Sequence, residues 1–158
     1  MPEDEEKLDE KKAADRLNTA LELQYRSALQ YSIVASSLAG IEAQALGPKL
    51  TEFGDAELAD VRRLIEKIVS FDSEPTTNVA ELRFESSAAD ALRWLVDCEE
   101  AAVEALQEAI EPTGREGRSE ALEHLMEHLI LRKQTQVDFL NRAISLAEAL
   151  RLQEPCQG

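Results

Sequence analysis

The stretch that decides the fold is LILRKQTQVDFL, residues 129–140. Its apolar residues, Leu129 and Leu140 among them, recur at the spacing of one buried helical face. Between them, on the same face, lie Lys133 and Gln136. A charged side chain inside an apolar stripe needs partners, because burying an isolated charge costs several kcal/mol even after relaxation. The stretch therefore predicts a long helix that carries a polar layer into a protein core.

Three other segments show the same helical periodicity. The predicted helices cover about 7–38, from Gly47-Pro48 to Phe71, about 87–110, and 119–152. Gly40 is the expected stop of the first. A helix of about 24 residues is ~36 Å long, and the roughly 16 residues before the third helix reach ~50 Å when extended. These lengths predict an all-α four-helix bundle with a long crossover between helices two and three.

Each of the four stripes has a gap near its middle, and polar residues fill the gaps. Matching heights in four separate helices favour one shared polar site over four unrelated defects. The residues at the gaps are Gln24, Glu57, Asp60, Glu99, Lys133 and Gln136.

The bulk composition limits the class of protein. The chain has 158 residues, 44% of them hydrophobic, which suits one domain with a core. We expect a flexible acidic tail over 1–10, the bundle over 11–152 and a C-terminal tail over 153–158. A net charge of −15 repels nucleic acid and anionic membranes and attracts cations. No apolar run approaches the ~18 residues of a membrane helix, so neither nucleic acid nor a membrane is an expected partner.

The two cysteines, Cys98 and Cys156, match no metal or redox spacing. We expect free thiols in a reducing cytoplasm. The opening MPEDEEKLDE is acidic, where a signal peptide would be basic and then apolar. The sequence therefore predicts a cytoplasmic protein.

Four local segments resemble the bacterioferritin branch of the ferritin-like superfamily. They cover most of residues 15–145, in nearly unbroken register. The segments are LNTALELQYRSALQY at 17–31, RRLIEKIVSFDSEP at 62–75, ALRWLVDCEEAAVEALQEAI at 91–110 and QTQVDFLNRAI at 134–144. The resemblance implies a ferritin-like four-helix bundle.

The resemblance also implies where a two-iron site would lie. The family's ligands are a glutamate on helix one, E-x-x-H on helix two, a glutamate on helix three and E-x-x-H on helix four. The matching residues here are Gln24, Glu57 with Asp60, Glu99, and Lys133 with Gln136. Glu57, Asp60 and Glu99 are thus the candidate metal ligands. The family's haem methionine falls at Leu58, so no haem is expected.

Two states of this site stay open. Three carboxylates facing one lysine leave a charge of about −2. One divalent ion, which means at most one iron ion in the core site, would neutralise this charge. Alternatively, raised pKa values keep one or two carboxyls protonated in a metal-free network. A lysine ammonium has no lone pair for a metal, and oxygen chemistry at a two-iron site needs two irons. We therefore expect efficient ferroxidase activity to be lost.

Two functions follow. The first is iron or metal binding or storage, as in bacterioferritins, without fast oxidation in the core. The alternative is a metal-free, non-enzymatic structural or interaction bundle. A weaker third is an oxygenase or radical-type relative with a different metal.

Three further residues have two interpretations each. His124 and His128 stand one turn apart, either on an exposed helical face or as a surface or interface metal site. Trp94, just off its stripe, would pack in a dimer interface or lie partly buried under the crossover. We expect a homo-dimer or larger homo-oligomer.

Overall fold

Four helices make up most of the described chain. The structure, a computed structural model, describes residues 7–110 and 116–152, with side chains as far as residue 150. The helices are α1 (Glu10–Ser37), α2 (Gly40–Ser70), α3 (Ala88–Glu108) and α4 (Gly117–Leu152). No strand occurs in the described ranges. The prediction of an all-α chain with a long connection between the second and third helices is confirmed.

Short polar side chains cap the first and third helices. Asp9 accepts a hydrogen bond from the Lys12 N–H at 3.1 Å, and Ser87 accepts one from the Asp90 N–H at 3.2 Å. Each satisfies a backbone donor that the first helical turn leaves free.

The second helix begins earlier than the sequence predicts. Gly40, the predicted stop of the first helix, is instead the first residue of α2 and adopts φ 61°, a conformation that suits glycine. Pro48, the predicted helix start, lies inside α2 at an exposed position. Proline signals a helix start because its missing N–H does no harm there. The carbonyl that the missing donor would leave free belongs to Gln44, which is an exposed residue.

The crossover, residues 71–87, runs along α1 from its N-terminal part toward its C-terminal part. The Thr76 N–H donates to Asn18 at 2.8 Å, and Gln30 exchanges two hydrogen bonds with the backbone of Arg83, at 2.7 and 3.0 Å. The crossover therefore delivers α3 to the far end of α1. As a result α3 runs antiparallel to α1.

Trp94 makes cation–π contacts with two guanidinium groups. The Arg83 carbon Cζ, from the crossover, is 4.1 Å from the ring centroid, and that of Arg26 is 5.2 Å away. Of the two interpretations of Trp94, the structure shows partial burial beneath the crossover.

Two apolar clusters fill the bundle, one toward each end. The first contains Leu17, Leu21, Leu64, Ile68, Leu106, Leu122, Met126 and Leu129. The second contains Tyr31, Leu50, Phe53, Leu92, Leu95 and Leu140. In α2, α3 and α4 the change from one cluster to the other falls where the sequence places the polar gap. In α1 it falls one turn after Gln24, between Ala28 and Tyr31. A polar layer therefore separates two dry cores.

The ends of the chain lie partly outside the description. Residues 1–6 of the predicted acidic tail and the predicted C-terminal tail, 153–158, fall outside the described residues. Within 7–10, Leu8 is buried, and its N–H donates to the Glu116 carboxylate at 2.7 Å. Among the described helices, none combines the length and apolarity of a membrane span.

Candidate functional site

Five polar side chains meet in the layer between the two apolar clusters. All five are almost completely buried, although each belongs to a residue type that usually seeks water. They are Gln24 of α1, Glu57 of α2, Glu99 of α3, and Lys133 and Gln136 of α4. The structure thus brings together five of the six residues that the stripes and the resemblance select.

Lys133 lies at the centre of this layer. Its ammonium nitrogen Nζ is 2.7 Å from Glu57 Oε2 and 3.0 Å from Glu99 Oε1, and all three side chains are 0% exposed. These are the distances of charge-assisted hydrogen bonds. The ammonium therefore bridges the two carboxyls.

Two amides complete the network. Gln136 Nε2 donates to Glu57 Oε1 at 2.7 Å and to Glu99 Oε2 at 2.8 Å. Gln24 Nε2 contacts Glu57 Oε2 and also donates to the Glu57 backbone oxygen at 3.0 Å. Every carboxyl oxygen of Glu57 and Glu99 thus accepts at least one hydrogen bond, as buried polar groups require.

The pKa values of the two carboxyls shift in opposite directions. Burial raises the pKa of Glu57, but the Lys133 charge and hydrogen bonds from Glu99 and Lys133 outweigh burial and lower it. Burial also raises the pKa of Glu99, against the opposing Lys133 charge, and the neighbouring Glu57 charge takes it to about 8. Two like charges this close favour keeping one proton between them.

Lys133 keeps its charge. Burial lowers the pKa of Lys133, but the charges and hydrogen bonds of the two carboxyls raise it by more, so the net shift is upward. At neutral pH the network holds one ammonium, one carboxylate on Glu57 and one neutral carboxyl on Glu99. Its net charge is therefore close to zero without a metal ion.

Asp60, the sixth predicted site residue, belongs to a separate ion pair. It is 0% exposed, its Oδ1 accepts from Arg63 Nη1 at 2.6 Å, and its Oδ2 contacts Arg132 Nη2 of α4. None of the hydrogen bonds described for the central network reaches it. The sequence-based charge count omitted both arginines, so its excess of about −2 is wrong for the folded protein.

Tyr31 closes the layer on the side of the second apolar cluster. Gln136 Nε2 lies 3.3 Å from its hydroxyl oxygen. Burial, helped by the charges of Glu99 and Glu57, raises its pKa, so the phenol stays neutral. Gly54 allows α2 to approach here, since a Cβ at that position would come within 3.2 Å of the Tyr31 Cβ.

The residues present do not fit a bound metal. Nitrogen donors of Lys133, Gln136 and Gln24 point at the carboxyl oxygens that would have to ligate an ion. Gln24 Oε1 is buried without a hydrogen-bond partner among the described residues, but it offers one neutral oxygen only. Within 7–110 and 116–152, no group of three or more His, Cys, Asp and Glu residues could hold a metal.

Other predicted features lie away from the centre. His124 and His128 are both exposed on α4, as on a solvated helical face. Leu58, at the family's haem position, is about half exposed. Cys98 is a buried free thiol in α3, and Cys156 lies outside the described residues.

A comparison with protein-family models decides the family. The model described as Ferritin-like domain matches residues 14–150, most of the chain. The chain belongs to the ferritin-like family. No curated protein sequence is similar enough to the chain to serve as a relative.

Solved structures support the same fold. One is a dodecameric thioferritin, the bacterioferritin-related protein from Bacteroides fragilis, with a TM-score of 0.78 and 18% identity over 96% of this chain and 94% of that one. Another is a ferritin-like diiron-carboxylate protein from Bacillus anthracis str. Ames, with a TM-score of 0.65 and 19% identity over 91% and 98%. The predicted ferritin-like four-helix bundle is confirmed.

The raised pKa of Glu99 gives this ferritin-like protein a characteristic pH dependence. The unfolded chain loses the proton near the ordinary value of 4.5, and the folded chain near about 8. Between these values the folded state binds more protons, so stability falls as pH rises and then levels off. We expect Glu99→Gln to remove this fall, since glutamine mimics the neutral acid.

Two measurements check this expectation. Urea unfolding should show that E99Q becomes progressively more stable than the wild type as pH rises across the interval from 4.5 to about 8. In the wild type, the infrared C=O stretch of a buried carboxylic acid should disappear with a midpoint near the upper value. A difference that does not change with pH would contradict a protonated Glu99.

Proposed function

We propose that this chain is a ferritin-like protein that binds or stores iron, or a similar divalent metal, without efficient Fe(II) oxidation in its bundle core. The observation that carries this proposal is the position of Lys133. Its ammonium lies within 3.0 Å of both Glu57 and Glu99, where an ion would have to sit. A charged lysine cannot serve as a ligand, so the core stays metal-free while the lysine remains in place.

The metal-handling part of the proposal is supported by charge and by family. A net charge of −15 concentrates divalent cations around the protein. One structural neighbour is described as a thioferritin and another as a diiron-carboxylate protein. In this proposal iron is cargo held outside the core, on acidic surfaces that a homo-oligomer would bring together in the cytoplasm. The assembly is a homo-dimer or larger, and one neighbour is dodecameric.

Stopped-flow mixing with Fe(II) under oxygen tests the loss of oxidation. We expect absorbance from Fe(III) to appear no faster than in buffer without protein, because two irons cannot enter a centre that holds Lys133. A ferritin-like protein with an intact two-iron site serves as the positive control. Rapid turnover above the buffer rate would defeat the proposal.

A second candidate is a metal-free structural or interaction bundle. The observation in its favour is the completeness of the network, because every carboxyl oxygen of Glu57 and Glu99 has a donor without metal. In that case the polar layer acts to fix the register of the four helices.

Metal analysis and solution mass distinguish the two candidates. Purified protein from iron-supplemented cells is measured for metal content by plasma mass spectrometry and for mass by light scattering. A metal-loaded oligomer supports iron storage. A metal-free dimer supports the structural bundle.

A further inference from the structure

The second helix carries an outer stripe in addition to the stripe that faces the core. The outer stripe advances by three and four residues, the spacing of one helical face, over a length of ~27 Å. It consists of Thr51, Asp55, Leu58, Arg62, Ile65 and Val69. Leu58 is 47% exposed and Val69 is 54% exposed. Much of the apolar surface of this stripe therefore faces solvent in the single chain.

The apolar surface continues from α2 onto α1 and the crossover. Gly54, one turn before Leu58, lies within 4.0 Å of the Ser32 backbone nitrogen of α1, when measured from a Cβ built on the glycine. Leu29, 44% exposed, precedes Ser32 by three residues and lies on the same side of α1. The crossover is bound to the next residue of α1 and adds Leu82, 40% exposed. A contiguous exposed apolar face of this kind is typical of an interaction surface.

The charges of the outer stripe are balanced, although the chain as a whole carries −15. Its two charged residues are Asp55, three residues before Leu58, and Arg62, four residues after it. Both are exposed, and neither forms an ion pair with another described residue. Two copies of so acidic a chain repel each other. A contact between copies is therefore favoured at a face whose own charges are complementary.

A two-fold axis at Leu58 makes the outer stripe complementary to itself. Two antiparallel copies of α2 related by this axis place Asp55 of one protomer opposite the partner's Arg62. The same ion pair recurs on the other side of the axis, as two-fold symmetry requires. The two Leu58 side chains then meet at the centre. This order of acid, leucine and base favours a second copy of the chain over an unrelated partner.

We infer that the outer stripe of α2 binds the same stripe of a second copy, antiparallel, with Leu58 on the two-fold axis between two reciprocal ion pairs of Asp55 with Arg62. Leu29 and Leu82 extend the apolar contact onto α1 and the crossover. This interface rests on the proposed function only in its homo-oligomer, and it is the same for the iron-binding protein and for the structural bundle.

Charge reversal tests the two ion pairs. Asp55→Arg places two arginines opposite each other, and Arg62→Asp places two aspartates opposite each other. We expect each variant alone to dimerise roughly 10–100-fold more weakly than the wild type, because like charges then meet at the interface. An equimolar mixture of D55R and R62D should associate again, since each ion pair is restored between the two chains. The exchange variant D55R/R62D should behave as the wild type. Sedimentation velocity over a concentration series measures all four samples.

A matched pair of leucine variants tests the apolar centre. Leu58→Glu should weaken association at least as much as either charge reversal. Leu131→Glu makes the same change at a leucine of α4 that is 68% exposed, and it should associate as the wild type does. Circular dichroism verifies that each variant keeps its helices.

A cross-link gives a second measurement that does not require weakened variants to fold. In chains with Cys156→Ser, Leu58→Cys should form a covalent dimer on mild oxidation, because the two-fold axis brings the two thiols together. Leu131→Cys in the same background should stay uncross-linked.

The outcomes separate this interface from the proposed function. An oligomeric wild type whose mass is unchanged in D55R, R62D and L58E would overturn the interface and leave the proposed function in place. Failure of the D55R and R62D mixture to associate, or equal cross-linking of L58C and L131C, would overturn it in the same way. A monomeric wild type would overturn both the interface and the proposed homo-oligomer. Rapid Fe(II) oxidation by a wild type that passes these tests would overturn the proposed function alone.

Discussion

Lys133→Met is expected to lower the free energy of unfolding by about 3–5 kcal/mol, the usual cost of removing one partner of a buried ion pair. The methionine fills much of the lysine volume, so the loss reports charge and hydrogen bonding more than packing. Glu57 would be left as a buried carboxylate without its ammonium, 0% exposed. Urea unfolding at neutral pH measures the difference.

The matched control is Lys49→Met. Lys49 pairs with Glu52 at 3.4 Å, but both side chains are at the surface, 44% and 67% exposed. Such pairs contribute at most about 1 kcal/mol. Adding Glu57→Gln to K133M should recover part of the lost stability, because the unpaired charge is then gone. If K133M costs no more than K49M, the ammonium does not hold the centre together.

A variant that carries the family's ligand pattern should gain two divalent ions. Its changes are Q24E, D60H, R132Q, K133E and Q136H. Together with Glu57 and Glu99, they supply four carboxylates and two imidazoles, and they remove both buried cations. Isothermal titration with Mn(II) should give two ions per chain where the wild type gives none in its core.

Binding of the two ions should also raise the free energy of unfolding of this variant. Without metal the variant is less stable than the wild type, since four carboxylates would share a dry site. At a free ion concentration one hundred times the dissociation constant, each site restores about 2.7 kcal/mol. Adding E57Q and E99Q should abolish both effects. Equal Mn(II) uptake with and without these two glutamates would place the ions outside the core.

Much of the centre could be predicted because helical periodicity fixes the direction of a side chain. Lys133 and Gln136 interrupt an apolar stripe, and Gln24, Glu57 and Glu99 interrupt three others at the same height. Because helical periodicity buries these groups and an isolated buried charge is unfavourable, the sequence predicts that they contact one another. The two apolar clusters on either side confirm the level of the layer.

Other contacts could not be predicted, because each depends on long side chains or on tertiary position. Arg132 lies one residue off the stripe, and only its length lets the guanidinium reach Asp60. The place of Trp94 depended on where the crossover carries Arg83. A proline is compatible with a helix start and also with an interior position such as that of Pro48. The sequence therefore placed the beginning of α2 too late in the chain.

The most direct test is anomalous diffraction from crystals of the wild-type protein grown with Fe(II) or Mn(II), recorded at the absorption edge of each metal. We expect no anomalous peak between Glu57 and Glu99, and density for the Lys133 nitrogen at 2.7 and 3.0 Å from their oxygens. An anomalous peak between these carboxyls, with Lys133 turned away, would contradict the account.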